Sequence, residues 1–90
     1  MRTFSKDVVE YMEFQIEGDK RVYKIPLASS LTNEQLIKFY KTGGEYTAQV
    51  EWLRDFLGNM VDSLTANMTS SILQEWAKQS KDGGAEPGES

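Results

Sequence analysis

Glu13 and Glu17 are the first pair of side chains in this chain whose spacing invites a chemical reading. They flank Gln15 on the outward face of an alternating stretch, and two facing carboxylates can share acid-base work. On a strand, however, such spacing marks a solvated face more often than a paired-carboxylate site. Gly43-Gly44 is the only glycine pair before the C-terminal stretch, and it lacks the Lys and Ser/Thr that a phosphate-cradling loop requires. Asn67-Met68-Thr69 matches the pattern of a glycosylation acceptor, which carries meaning only in an exported chain. No Asp/Asn-rich stretch matches a calcium loop. The chain contains neither Cys nor His, so disulfides, thiolate nucleophiles, the usual structural zinc sites and the commonest general base are all missing. What is left is hydroxyls, carboxylates and lysines with no catalytic motif around them. The expectation is that the protein is not an enzyme and uses no cofactor and no metal.

Charge narrows the partners. Fourteen acidic against ten basic side chains give a net charge of −4, and no basic run exceeds Lys20-Arg21. Neutralising phosphates needs a concentrated basic face, so neither nucleic acid nor an anionic membrane surface is an expected partner. No apolar run approaches the roughly 20 residues that span a bilayer, and Met1-Arg2-Thr3-Phe4-Ser5-Lys6-Asp7 does not read as a signal peptide. A soluble, intracellular protein is expected.

The elements follow from periodicity. Met12, Phe14 and Ile16 alternate with Glu13, Gln15 and Glu17, the period of a strand with one buried face. Gly18-Asp19-Lys20 supplies turn chemistry, and Val22, Tyr23, Ile25 and Leu27 continue as a second strand that should end near Pro26. Because an isolated hairpin is marginal in water, the following helices must cover its apolar face. Thr32 with Gln35 forms a capping-box signature, and Leu31 with Leu36 a hydrophobic staple, so a first helix is predicted over Asn33 to Lys41, stopped by Gly43-Gly44. Between Glu45 and Leu64, Tyr46, Val50, Leu53, Leu57, Met60, Val61 and Leu64 recur at spacings of three and four, which predicts one continuous second helix. Gly58 then sits inside that helix, either allowing a close contact or simply tolerated. Thr65 is positioned to cap a third helix, running to about Gln79, in which Met68, Ile72 and Trp76 fall four apart. The chain from Ser80 to Ser90 has the polar, Gly-containing composition of disorder. The expected organisation is thus a flexible segment 1–10, a single α+β domain over 11–79 with an N-terminal hairpin packed against about three helices, and a disordered tail over 80–90.

Two Trp, four Phe, four Tyr and four Met are a large apolar complement for so small a domain. Trp52 and Phe56, one step off the main stripe, widen its apolar face either toward a partner or toward the core. Met60, Met68 and Trp76 form either an adaptable apolar surface for segments of another chain or a packing face for the hairpin. Read as an interface, the candidate partner-binding residues are Trp52, Phe56, Met60, Met68 and Trp76, and self-association is expected.

The block Phe14-Gln15-Ile16-Glu17-Gly18-Asp19 is followed by Tyr23-Lys24-Ile25-Pro26-Leu27-Ala28-Ser29-Ser30-Leu31. Further on come Val50-Glu51-Trp52-Leu53-Arg54-Asp55-Phe56-Leu57-Gly58, then Ile72-Leu73-Gln74-Glu75-Trp76, then the closing Pro87-Gly88-Glu89-Ser90. In order, spacing and total length this series resembles the short form of the tail assembly chaperones of long-tailed bacteriophages of actinobacteria. The resemblance implies a chaperone that binds the long, helix-rich tape measure protein, keeps it soluble and helps tail tube protein assemble around it. It implies work in the host cytoplasm and absence from the mature virion, and since a coating mechanism needs many weak apolar contacts, several copies along one tape measure chain are expected. It also implies a longer product of programmed ribosomal frameshifting, with which Gly88-Glu89 is compatible as a G-rich codon run. The family brings no catalytic residues. The reading from a different class is a small intracellular adaptor or host-directed inhibitor that holds one folded protein through a helix face.

Overall fold

The computed structural model describes residues 1–4 and 9–82. The fold is α+β, an antiparallel hairpin followed by three helices. Strands β1 (Tyr11–Phe14) and β2 (Tyr23–Pro26) pair with Met12 opposite Ile25 and Phe14 opposite Tyr23. The alternation read from the sequence sets the buried face: Met12 and Ile25 are enclosed, while Glu13 and Lys24 lie outside and meet at 3.8 Å. The connection between the strands is tied by Asp19, whose carboxylate accepts from the Arg21 N–H at 2.9 Å and from the Tyr23 hydroxyl at 2.6 Å. The hydroxyl bond is the main cause that holds the Asp19 carboxyl below its ordinary pKa.

After a 3-10 turn at Ala28–Ser30, helix α1 covers Asn33–Lys41. Its capping box is complete: Thr32 Oγ1 accepts from the Gln35 N–H at 3.2 Å, and Gln35 Oε1 accepts from the Thr32 N–H at 3.0 Å. The helix stops at Thr42, beyond which Gly43 and Gly44 take positive φ. Helix α2 follows over Tyr46–Leu57 and α3 over Ala66–Asp82, the latter started by Thr65 Oγ1 accepting from the Met68 N–H at 3.1 Å.

Two expectations are corrected. The stripe from Glu45 to Leu64 is not one helix: α2 ends at Leu57, and Gly58–Ser63 forms a 3-10 stretch. Gly58 has φ +71° and ψ −156°, a backbone region open in practice only to glycine, so it ends the helix rather than sitting inside it. Arg54 spans the break, with Nη2 at 2.8 Å and Nη1 at 2.9 Å from the two oxygens of Asp62, and Nε at 3.2 Å from Glu51. This fork holds the Asp62 carboxyl below its ordinary pKa and raises that of Arg54. The second correction is the end of α3. Ser80, assigned to the tail, is inside the helix and only 6% exposed, because its Oγ accepts from the Ala28 N–H at 3.0 Å. The expected tail from 83 to 90, like residues 5–8 of the expected flexible segment, lies outside the described residues.

The core joins Met12, Ile25 and Leu27 from the hairpin, Trp52, Leu53 and Leu57 from α2, Val61 from the 3-10 stretch, and Ile72 and Trp76 from α3. Helix α1 buries no residue fully and docks through Phe39 and through Lys38, whose Nζ lies 2.6 Å from Asp55.

Replacing Gly58 by Ala separates the two readings of that position by sign. Inside a helix the change would stabilise by about 1 kcal/mol. At the observed backbone angles, with no atom within 4 Å of the added methyl, it should destabilise by roughly 2 kcal/mol from backbone strain alone. Urea denaturation of the two proteins measures the difference.

Candidate functional site

The five side chains singled out as partner contacts do not form one surface. Trp52 is 0% exposed and Trp76 3%, and their rings meet edge to face at 5.0 Å between centroids. Phe39 packs against both, at 4.8 Å from Trp52 and 4.9 Å from Trp76, and Phe56 lies 5.0 Å from Trp52. Each indole N–H is also satisfied inside: Trp52 donates to the Gln35 carbonyl at 3.2 Å and Trp76 to the Pro26 carbonyl at 2.7 Å. Trp52 and Trp76 therefore belong to the core, and the expectation that they reach a partner is corrected. The extra width that Trp52 gives the α2 stripe is used to receive α1 and α3. Phe56 and Met60 are half-buried and pack on the same core.

Met68 stands apart from the other four. It lines an open groove of about 380 Å3 between β1 and α3. One wall is the run Met12 to Glu17, and the other is the α3 face bearing Asn67, Met68, Ser71, Ile72, Glu75 and Gln79. These α3 positions recur at intervals of three and four, so they share one side of the helix. The groove floor is apolar, from Met12, Phe14, Ile16, Met68 and Ile72, and three carboxylates, Glu13, Glu17 and Glu75, belong to its walls. Gln79 Nε2 donates to Glu75 at 2.9 Å. Phe14 and Tyr23 stack at 5.7 Å, which props the hairpin end of the wall.

Sequence reasoning missed Phe14, Ile16, Ser71 and Ile72 as members of a site. The alternation of β1 was visible, but it implied that the helices would close over the whole apolar face. Instead α3 covers Met12 and leaves Phe14 and Ile16 half-exposed. A helix that must reach Pro26 with Trp76 and Ala28 with Ser80 is anchored at the far end of the hairpin from Phe14 and Ile16.

The groove has the room and the apolar floor to hold an apolar segment. No group of three or more His, Cys, Asp or Glu able to hold a metal ion occurs among the described residues. Among the same residues no helix is long and apolar enough to cross a membrane. No family model, curated protein or solved structure matches this chain.

A Trp76→Phe change keeps most of the buried ring but leaves the Pro26 carbonyl without its donor. It should destabilise the domain by about 1–3 kcal/mol, measured by thermal or urea denaturation. A surface residue of the same size would give less than about 0.5 kcal/mol.

Proposed function

We propose that this chain is a tail assembly chaperone, binding a tape measure protein, keeping it soluble and promoting assembly of tail tube protein around it. The reading rests on the ordered resemblance across residues 12 to 90, and the observation that carries it is the open groove between β1 and α3. A chaperone of this kind needs a surface that accepts many weakly similar apolar segments. Met68 suits that task, since an unbranched thioether side chain repacks around different shapes at low cost. Coating a long partner with several copies multiplies weak contacts, which agrees with an oligomeric working state. In this reading the site is Met68 with Phe14, Ile16 and Ile72, while Trp52 and Trp76 act by holding the groove's two walls in place.

A second reading has one feature in its favour. Ile37 and Tyr40 on α1 are 52% and 70% exposed and lie on one side of the helix, a surface that an adaptor or inhibitor would use on a folded protein.

Co-expression with the product of the long gene expected immediately downstream tests the first reading. Wild-type chain should bring that tape measure protein into the soluble fraction and co-purify with it. Ser71→Trp, which fills the groove from an exposed position, should lower the recovered complex on the order of tenfold while the domain stays folded. A partner that stays insoluble and unbound would remove the chaperone reading and favour the α1 surface.

A further inference from the structure

Six consecutive residues, Met12 to Glu17, line one wall of the groove. Met12, Glu13 and Phe14 of this run lie in β1. Since a groove against a single face of a strand is walled by every second residue, the presence of Glu13 between the other two brings the strand's edge into the wall. That edge is open, since β1 pairs only with β2 among the described residues. The pairing parity determines which main-chain groups it presents. The Leu27 N–H donates to the Glu10 carbonyl at 2.8 Å, and hydrogen-bonded and non-hydrogen-bonded positions alternate along an antiparallel pair. With Met12 opposite Ile25 and Glu13 opposite Lys24, the amides of Met12 and Phe14 turn toward β2 and those of Tyr11 and Glu13 turn outward.

The charge of the walls has one sign. Glu13, Glu17 and Glu75 line the groove, and neither Lys nor Arg does. Lys24 reaches Glu13 across the sheet at 3.8 Å with both side chains exposed, a pairing that water screens. Glu17 and Glu75 make no ion pair among the described residues.

We propose that the groove takes an extended segment of another protein as a third strand on the edge of β1, one in which apolar side chains alternate with Lys or Arg. The inference rests on the reading of this groove as the binding site and specifies what it binds. The outward N–H and C=O of Tyr11 and Glu13 supply the ladder. Apolar side chains of the incoming strand settle on Met68 and Ile72, and its basic side chains, turned to the opposite face, meet Glu13 and Glu17. A bound helix has its own amides occupied and would leave the edge unpaired. A phosphate-bearing ligand would meet the three carboxylates.

The test is an NMR titration of the full chain, labelled with nitrogen-15, with a short capped peptide alternating valine and lysine. The Tyr11 and Glu13 amide signals should move downfield and become protected from solvent exchange. N-methylation of the peptide amides that face the ladder should abolish binding, and N-methylation of the alternate set should leave it intact. Glu13→Lys combined with Glu17→Lys, both exposed positions, should weaken binding on the order of tenfold. Absence of saturable binding, equal tolerance of both N-methylation patterns, or indifference to the charge reversals would overturn the proposal. If the tape measure protein is solubilised and the peptide does not bind, the strand mode falls and the chaperone reading stands. If the peptide binds as described and the tape measure protein stays insoluble, the strand mode stands and the chaperone reading falls.

Discussion

The hydrogen bond from the Trp76 indole to the Pro26 carbonyl, 2.7 Å long and spanning fifty residues of chain, is the constraint on which the rest of this fold depends. Two four-residue strands alone are marginal in water. They persist because the end of β2 is fastened to α3, and because the same indole ring packs against Trp52 of α2 and Phe39 of α1. Each such aromatic contact contributes about 0.5–1.5 kcal/mol beyond the area it buries. Pro26 is suited to its place for a related reason. It lies opposite Tyr11 at a position where the ladder needs no N–H, so the missing donor costs nothing and the carbonyl points away from β1.

That fastening determines which apolar surface stays open. Both indoles are enclosed, and what the anchoring leaves uncovered is smaller side chains. Helix α3 is pinned at its C-terminal half by Trp76 and Ser80, next to Pro26 and Ala28. The groove lies alongside it, between the α3 face from Asn67 to Gln79 and the Met12–Glu17 run. Helix α1, held by Phe39, by the Trp52 indole bond to the Gln35 carbonyl and by one exposed ion pair, contributes less to the core and presents Ile37 and Tyr40 outward.

The sequence was most legible where a local rule acts within a few residues. The capping box of Thr32 and Gln35 and the following glycines bounded α1, and alternation gave the hairpin and its buried face. Legibility failed where one residue type has two uses. A glycine inside an apolar stripe reads as helix interior, yet at Gly58 positive φ ends α2 and lets the chain turn into a 3-10 stretch that still buries Val61. Ser80 continues the spacing of four that joins Met68, Ile72 and Trp76, but a polar residue does not extend an apolar pattern, so its role as an acceptor for Ala28 was invisible. Composition also cannot distinguish an interface tryptophan from a core one; that depends on whether the indole N–H finds a carbonyl inside, as both do here. The groove was hidden because it forms between β1 and α3, elements some fifty residues apart whose relative placement no local pattern encodes.

On the proposed function the labour is divided, with the indoles holding the frame and the groove making the contact. The decisive experiment is NMR of the full chain, carrying labelled methionine methyls and indole nitrogens, in complex with the proposed tape measure partner. The Met68 methyl signal should move while the Trp52 and Trp76 indole N–H signals keep their positions and their protection from exchange. Indole signals that shift or lose protection while Met68 stays still would contradict it.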